Sequence, residues 1–250
     1  MNFFFILNGK ALKTVALILI AAFFTAWFLY IENLAQIPVF STKEGAKAIY
    51  RGEKDLALTF NIGWGDEKAE PILDTLKKEN VKSATFFLAG SWAEQHPDII
   101  SRIVKEGYEI GLLGYDYVDY MDLEDAKISR DISKAQEAFK KLNVKDIKLL
   151  RAPTGHFDER TLKIAKRYGY TVVHWKIDSK DWQNPGVEKI VENVKKAERG
   201  DIVLLHASDS AKQTAKALPL ILEDIRQKGL KLVSVSEMIT NGEVQSKEVR

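Results

Sequence analysis

The chain has 250 residues, of which 46% are hydrophobic, and this is enough for one sizeable domain with a continuous core. Lysine plus arginine number 37 and aspartate plus glutamate number 35, so the formal net charge is only +2. Because a nucleic-acid-binding domain needs a strongly basic face, this balance argues against a nucleic-acid partner. The absence of cysteine excludes disulfides, thiolate nucleophiles and cysteine-ligated zinc.

An uncharged apolar run over residues 14–31 predicts a membrane anchor. At about 1.5 Å per residue, this run comes close to the thickness of a bilayer core. Lys10 and Lys13 precede it and Glu32 follows, which predicts a cytoplasmic N-terminus. A cleaved signal peptide is the alternative, but it would need a shorter apolar run and small residues at a cleavage site. We therefore expect a single-pass protein of the cell membrane whose domain lies on the outer side.

Seven short apolar segments, bounded by glycine, aspartate or asparagine, predict strands that are buried on both faces. They lie at 56–60, 84–88, 109–113, 148–151, 171–175, 201–205 and 231–234. Amphipathic helical patterns separate them, for example at Ile128, Ile132 and Phe139. This alternation predicts an α/β fold, an irregular (β/α) barrel of about seven parallel strands, with an open doubly wound sheet as the alternative. In either fold, chemistry belongs at the carboxyl ends of the strands.

The predicted organisation of the chain has five parts. A short cytoplasmic segment occupies 1–13 and the anchor 14–31, and a stalk over 32–54 leads into the α/β domain at 55–239. The last residues, 240–250, are rich in glutamate, lysine and serine and predict a flexible tail.

Polar residues cluster where the predicted strands end, in five segments. They read T-F-N-I-G-W-G-D (59–66), G-L-L-G-Y-D-Y (111–117), R-A-P-T-G (151–155), D-S-K-D-W (178–182) and L-L-H (204–206). In this order and at this spacing, they resemble the five motifs of the polysaccharide deacetylase family, also called the NodB-homology family. The resemblance covers about residues 48–238, and it is closest to members that act late in sporulation.

The resemblance implies a hydrolase of linear amide bonds that removes N-acetyl groups from amino sugars of cell-wall or spore peptidoglycan. Four residues match the family's motifs: Arg151, Asp181, Trp182 and His206. The family's pattern implies that Arg151 orients the general base, that Asp181 orients His206, and that His206 protonates the leaving amine. Asn61 stands at the position of the base, where the family usually has aspartate.

The metal ligands of the family do not carry over. The family usually holds zinc or a similar divalent cation with one aspartate and two histidines. Ile62 stands at the position of the aspartate, and Leu113 and Tyr117 stand at those of the histidines. Isoleucine and leucine offer no donor atom and tyrosine is a rare ligand, so we expect no metal at the usual site.

Other residues near the strand ends are candidates for substrate contact: Thr154, Trp64, Asp66 and Asp178, in addition to Trp182. Together with Asp116, the two aspartates of that set could hold a relocated cation or act as an acid/base pair. The alternative for Asp66 is that it caps the turn after the first strand. His156 is either a rim residue or a substrate contact. A Ser-His-Asp triad of Ser208 or Ser210 with His206 and Asp181 lacks the usual Gly-x-Ser-x-Gly turn.

Two functions stay open on the sequence alone. One is a deacetylase that acts on peptidoglycan or another N-acetylated glycan with an altered site. The other is an inactive member that binds glycan or a partner protein at the membrane surface, since a fold does not guarantee its usual function. In both cases we expect the domain at the cell membrane or in the spore envelope.

Overall fold

The computed structural model describes residues 19–20, 22–25, 47–242 and 245–247. Most of the predicted anchor at 14–31, the segment 1–13 and most of the stalk lie outside the described residues. No helix within the described ranges combines the length and the apolar character needed to cross a bilayer. The chain divides into two compact units, Met1–Glu44 and Gly45–Arg250, and the second of them contains the α/β domain.

The second unit alternates strands and helices along the chain. The strands are β1 Ala48–Arg51, β2 Ala57–Ile62, β3 Thr85–Leu88, β4 Glu109–Leu112, β5 Leu149–Leu150, β6 Thr171–Val172, β7 Ile177–Asp178, β8 Ile202–His206 and β9 Gln245–Lys247. The helices are α1 Ala69–Lys78, α2 Gly90–Gln95, α3 Pro97–Lys105, α4 Asp125–Lys141, α5 Glu159–Arg167, α6 Val187–Val194, α7 Thr214–Gln227 and α8 Val235–Asn241.

Strands β2 to β8 form one parallel sheet in the order β6-β5-β4-β3-β2-β8-β7. Strand β2 lies between β3 and β8 inside the sheet, and every residue of it is buried, as the continuous apolar run predicts. Helices pack on the sheet through apolar stripes; α4, for example, buries Ile128, Ile132 and Phe139. The parallel α/β architecture predicted from the sequence is confirmed.

The sheet is curled into a half-barrel, which follows from the link between β6 and β7. Val172 and Ile177 belong to opposite edges of the sheet but are only five residues apart. Five residues span at most about 17 Å, whereas seven flat strands at about 4.8 Å spacing would hold the edges about 29 Å apart. Strand β1 lies in the remaining gap, where Ile49 bridges Val173.

Two predicted strands are wrong in detail. The segment 231–234 forms only one bridge, between Leu56 and Leu232, because Ser234 already caps α8 by accepting a hydrogen bond from the Glu237 amide. The strand predicted at 171–175 ends at Val172, because the chain must there cross to the opposite edge of the sheet. The seventh strand is therefore β7, which the apolar pattern does not predict.

Strands β1 and β9 lie outside the predicted domain limits of 55–239. They pair with each other in antiparallel fashion, with Ala48 opposite Lys247. Ala48 and Ile49 are buried in the core, so the chain joins the domain within the segment predicted as a stalk. Strand β9 falls in the segment 240–250, for which the composition predicts a flexible tail.

Candidate active site

A groove of about 560 Å³ lies at the carboxyl ends of the strands, which is where a parallel sheet concentrates its chemistry. Six of the nine predicted site residues line it: Asn61, Trp64, Thr154, Asp178, Trp182 and His206. Arg151 and Asp181 are completely buried beside Asn61 and His206, to which they are hydrogen-bonded. The ninth residue, Asp66, does not line the groove.

His206 and Asp181 form a hydrogen-bonded pair. His206 is the last residue of β8, and its Nδ1 lies 2.7 Å from Oδ1 of Asp181. The other carboxyl oxygen, Oδ2, accepts hydrogen bonds from the His206 amide and from the Thr214 hydroxyl, each at 2.7 Å. Because a carboxylate accepts at Nδ1, that nitrogen carries the proton, and Nε2 is left for the groove. The pair can therefore exchange a proton at Nε2 with a bound molecule.

Arg151 lies behind Asn61, and its side chain is completely buried. It donates to the Asn61 Oδ1 and to the Thr59 hydroxyl, both at 2.9 Å, and to the carbonyls of Val173 and His174. None of these acceptors is a carboxylate. Burial accordingly lowers the pKa of Arg151 to about 9, which still leaves it charged at neutral pH.

The hydrogen bond from Arg151 determines which polar groups of Asn61 remain available to a ligand. Asn61 is in register with His206 on the neighbouring strand, so both side chains point to the same face of the sheet. Since Oδ1 of Asn61 accepts from Arg151, its amide N–H groups are what remains for the groove. Asn61 therefore offers a donor where the family's aspartate offers an acceptor.

The residues at the family's ligand positions do not fit a zinc-type ion. Ile62 and Leu113 are fully buried apolar side chains. The Tyr117 ring lies so close to Gly63 that an added Cβ there would be 2.7 Å from it. Burial raises the pKa of Tyr117, so its phenol stays neutral. Within the described residues, no three histidine, aspartate or glutamate side chains converge in a way that could hold a metal ion.

Asp66, Asp116 and Asp178 are separated. Asp66 Oδ1 pairs with His96 Nε2 at 2.8 Å, on the outside of the groove. Asp116 is exposed, and Asp178 lines the groove while its Oδ1 accepts from the Lys180 amide at 2.8 Å. The structure therefore gives no support to a relocated cation among them, and Asp66 does not contact the groove in which substrate binding was predicted.

Ser208 and Ser210, the two serines considered for a Ser-His-Asp triad, both line the groove, but neither forms a hydrogen bond with His206 in the described part of the chain. Ser208 Oγ accepts from the Gly63 amide at 3.0 Å and makes no bond with His206. Its hydroxyl instead stabilises the loop after β2.

One cluster at the groove rim is not predicted from the sequence. Asp119 Oδ2 accepts from the Thr154 hydroxyl at 3.0 Å and pairs with His156 Nδ1 at 2.6 Å. Thr154 adopts a φ of +62°, a strained conformation for a β-branched residue, and Asp119 holds it there. No periodicity or motif marks Asp119, so only the structure shows that it supports the turn after β5.

Tryptophans give the groove an apolar surface. Trp64 is 52% exposed and Trp182 is 47% exposed, although large apolar side chains are normally buried. Trp175 also lines the groove. Exposed indole rings beside polar groups are typical of a site that binds ligands with both apolar faces and hydroxyl groups.

Comparison with known proteins agrees with this architecture. The sequence model for the polysaccharide deacetylase family matches residues 49–173. A peptidoglycan-N-acetylglucosamine deacetylase of Bacillus cereus is 37% identical over 191 residues, which cover 75% of this chain and 89% of the relative.

Two similar solved structures are forms of one protein. A CE4 family pseudoenzyme from Bacillus anthracis has a TM-score of 0.73 at 28% identity, over 81% of this chain and 72% of that one. A mutant of it, described as having restored enzymatic activity, has a TM-score of 0.72 at 28% identity, over 78% and 72% of the two chains. On the evidence of its motifs, its half-barrel and these relatives, the chain belongs to the polysaccharide deacetylase family.

Proposed function

We propose that this protein binds the N-acetylated glycan of cell-wall or spore peptidoglycan in the groove, and that it does not run the family's metal-dependent deacetylation. One observation carries the proposal. The three positions that usually supply metal ligands hold Ile62, Leu113 and Tyr117, two of them fully buried and the third packed on Gly63. These side chains fill the site with apolar groups and leave no donor set for a divalent cation.

The consequence for hydrolysis is large. A bound zinc ion lowers the pKa of its water from about 15.7 to about 7, and these residues cannot hold one. The amide of Asn61 cannot accept a proton, and the loss of a general base costs roughly 10² to 10⁴ in rate. His206 with Asp181 can still donate a proton, but a general acid without an activated water makes a slow hydrolase.

The same groove keeps what binding requires. Trp64 and Trp182 present exposed rings on which the apolar faces of sugars can stack. The Asn61 amide can donate to an acetyl carbonyl oxygen, with the charge of Arg151 behind it. The Bacillus cereus relative, which acts on peptidoglycan N-acetylglucosamine, supports the substrate class, and the Bacillus anthracis pseudoenzyme supports the loss of activity.

The second candidate is a residual deacetylase that acts on the same glycan. It is favoured by the intact pair of His206 and Asp181, whose 2.7 Å contact leaves Nε2 turned toward the groove. In this case Asp178 would be the base available at the groove rim.

For the setting, we propose a protein held at the cell membrane by residues 14–31, with the domain on the outer side or in the spore envelope. The charges on either side of the apolar run support this orientation. Resemblance to sporulation members of the family supports the link to spore peptidoglycan.

The test measures acetate release and binding in parallel. The full chain is incubated with N-acetylglucosamine oligomers and with purified peptidoglycan, with and without zinc, beside a His206→Ala control. The proposal expects no acetate above the control, and co-sedimentation of the protein with peptidoglycan. Acetate that is released by the parent and lost in His206→Ala would overturn it in favour of the residual deacetylase. Failure to sediment with peptidoglycan would overturn glycan binding.

A further inference from the structure

Beside the groove lies a second pocket of about 410 Å³, the side pocket. It is lined by Tyr50, Met121, Gly155, His156, Phe157 and His174. His156 also lines the groove, so the two spaces are contiguous at that side chain. The volume is in the range of about 300–1,000 Å³ that is usual for small-ligand sites.

Two stacked rings separate the side pocket from the groove. The rings of His174 and Trp175 lie 3.8 Å apart at an angle of 14°. His174 lines the side pocket and Trp175 lines the groove. Gly155 makes this packing possible, because a Cβ at that position would lie 2.3 Å from the Trp175 ring. A ligand that leaves the groove over this wall, past His156, therefore enters the side pocket.

The side pocket is aromatic and carries little charge. The rings of Tyr50 and Phe157 lie 4.7 and 5.6 Å from that of His174. Burial is the main cause that lowers the pKa of His174 to about 4, so its imidazole is neutral at pH 7. Burial also raises the pKa of Tyr50, which remains a phenol.

Hydrogen-bonding groups remain available around these rings. The Tyr50 hydroxyl has no hydrogen-bond partner in the described part of the chain. His156 uses Nδ1 for Asp119 and keeps Nε2 for a ligand. Neutral aromatic faces combined with a few hydroxyl and imidazole groups suit a sugar ring, whose hydroxyls and apolar face need both.

We propose that the side pocket is a sugar-binding subsite that takes a further unit of the N-acetylated glycan chain lying in the groove. The proposal rests on the proposed function, because its occupant is the continuation of the ligand bound there. It predicts that affinity depends on chain length, since only an oligomer long enough to pass His156 reaches the side pocket.

The methionines provide a direct test. The chain contains three, and Met121 lies in the side pocket with 47% of its surface exposed, whereas Met238 is buried in α8. The full chain, labelled with ¹³C at the methionine methyl groups, is titrated with N-acetylglucosamine oligomers of increasing length. We expect the Met121 signal to shift with long oligomers only, while the Met238 signal stays in place.

A variant pair tests the same inference by affinity. Tyr50→Phe combined with Met121→Ala removes the hydroxyl and an exposed contact of the side pocket, and Leu220→Ala is the matched control on the outer face of α7. We expect the double variant to bind the longest oligomers about five- to tenfold more weakly than the parent and the shortest oligomers equally well. Leu220→Ala should behave as the parent does at every length.

The outcomes separate the two proposals. If the parent binds oligomers but the double variant loses nothing, or loses the same factor at every length, the side pocket is not a subsite and groove binding still stands. A Met121 signal that stays unmoved while long oligomers bind overturns the subsite in the same way. If the parent binds no oligomer and no peptidoglycan, the proposed function fails and the subsite fails with it.

Discussion

Arg151 carries a charge into the interior, and its acceptors there are a hydroxyl, an amide and two carbonyls. A buried charge is costly unless a hydrogen-bonded opposite charge balances it. The resemblance to the family's motifs implies an aspartate at the position of Asn61, whereas in this chain none of the acceptors of Arg151 is a carboxylate. We therefore expect the unbalanced charge of Arg151 to lower the free energy of unfolding of the domain.

We predict that Asn61→Asp stabilises the protein by about 1–2 kcal/mol at neutral pH, because the new carboxylate accepts a charged hydrogen bond from Arg151 at the observed 2.9 Å. Burial lowers the Arg151 pKa to about 9. From about pH 9 up to the ordinary arginine value, the unfolded chain binds more protons than the folded one, so this group makes stability rise with pH. The aspartate should raise the Arg151 pKa and flatten that rise.

Urea unfolding of parent and variant at pH 7 and at pH 10 checks this prediction. The advantage of Asn61→Asp should shrink at the higher pH, where Arg151 of the parent is relieved of its charge. Asn61→Ala, which removes the acceptor without adding charge, should be less stable than the parent at pH 7. An Asn61→Asp variant that is less stable than the parent at pH 7 would contradict the missing counter-ion as the cause.

Asp181 is the second residue whose chemistry decides the site. Its two oxygens accept three hydrogen bonds inside the protein, two of them from His206. Asp181→Asn removes the charge that strengthens these hydrogen bonds, and its NH2 group faces either the His206 amide or His206 Nδ1, which can accept only if its proton moves to Nε2. We therefore expect a loss of about 2–3 kcal/mol in the free energy of unfolding. Asp178→Asn, at the groove rim, is the matched control and should cost less than about 0.5 kcal/mol. Equal losses in the two variants would contradict the role given to the buried carboxylate.

At the scale of elements, the loop between β2 and α1 depends on one carboxylate. Asp209 accepts hydrogen bonds from the amides of Asp66, Glu67 and Lys68 at 2.9, 3.0 and 3.1 Å. These amides precede α1, so the carboxylate fixes the start of that helix and the loop that presents Trp64. Burial acts to raise the pKa of Asp209, but the three amides outweigh it and hold the pKa below its ordinary value.

We predict that Asp209→Asn lowers stability by about 1–2 kcal/mol at pH 7. A carboxylate with a lowered folded pKa contributes stability above its unfolded pKa and loses it as pH falls through the folded value. The difference between parent and variant should therefore shrink below about pH 4, and urea unfolding at pH 7 and pH 3 measures it. A difference that is the same at both pH values would show that the charge of Asp209 is not what holds the loop.

The sequence predicts most elements because their signals are local. Short apolar runs bounded by glycine or aspartate indicate buried parallel strands, and β2, β3, β4 and β8 lie close to where those runs are. The passage from β6 to β7 is not predictable in this way, because nothing local distinguishes one strand through Trp175 from two strands on opposite edges of the sheet. The segment 231–234 has the apolar content of a strand, but the cap of α8 at Ser234 ends it.

The candidate site also contains residues that the sequence predicts and residues that only the structure shows. Resemblance to the family's motifs locates Asn61, Arg151, Asp181 and His206, and the structure brings them together as two hydrogen-bonded pairs. The resemblance cannot indicate that the side chain of Asp66 pairs with His96 outside the groove, because this contact depends on how α2 and α3 pack. Asp119 and Asp209 escape sequence reasoning for the same reason: each accepts from residues far away in the chain.

At the scale of the whole molecule, the half-barrel can be tested for whether its backbone still holds positions 62, 113 and 117 in an arrangement that binds a metal ion. We predict that the variant with Asn61→Asp, Ile62→Asp, Leu113→His and Tyr117→His unfolds at a lower temperature than the parent without metal, because Ile62→Asp buries a carboxylate at a fully buried position. Added zinc should raise the melting temperature of the variant and leave that of the parent unchanged, since binding to the folded state alone stabilises it.

Acetate release is the second measurement on this variant. It distinguishes a groove that lacks only its metal ligands from one that has changed elsewhere as well. The Bacillus anthracis pseudoenzyme, of which a mutant has restored enzymatic activity, is similar in fold over 81% of this chain. If the four-residue variant gains both zinc binding and acetate release, the rest of the groove, with Arg151, Asp181 and His206, is still arranged for deacetylation. If it gains zinc binding without acetate release, the groove differs from that of a deacetylase in more than its metal ligands. If zinc does not raise the melting temperature, the backbone of the half-barrel no longer brings positions 62, 113 and 117 together around a metal ion.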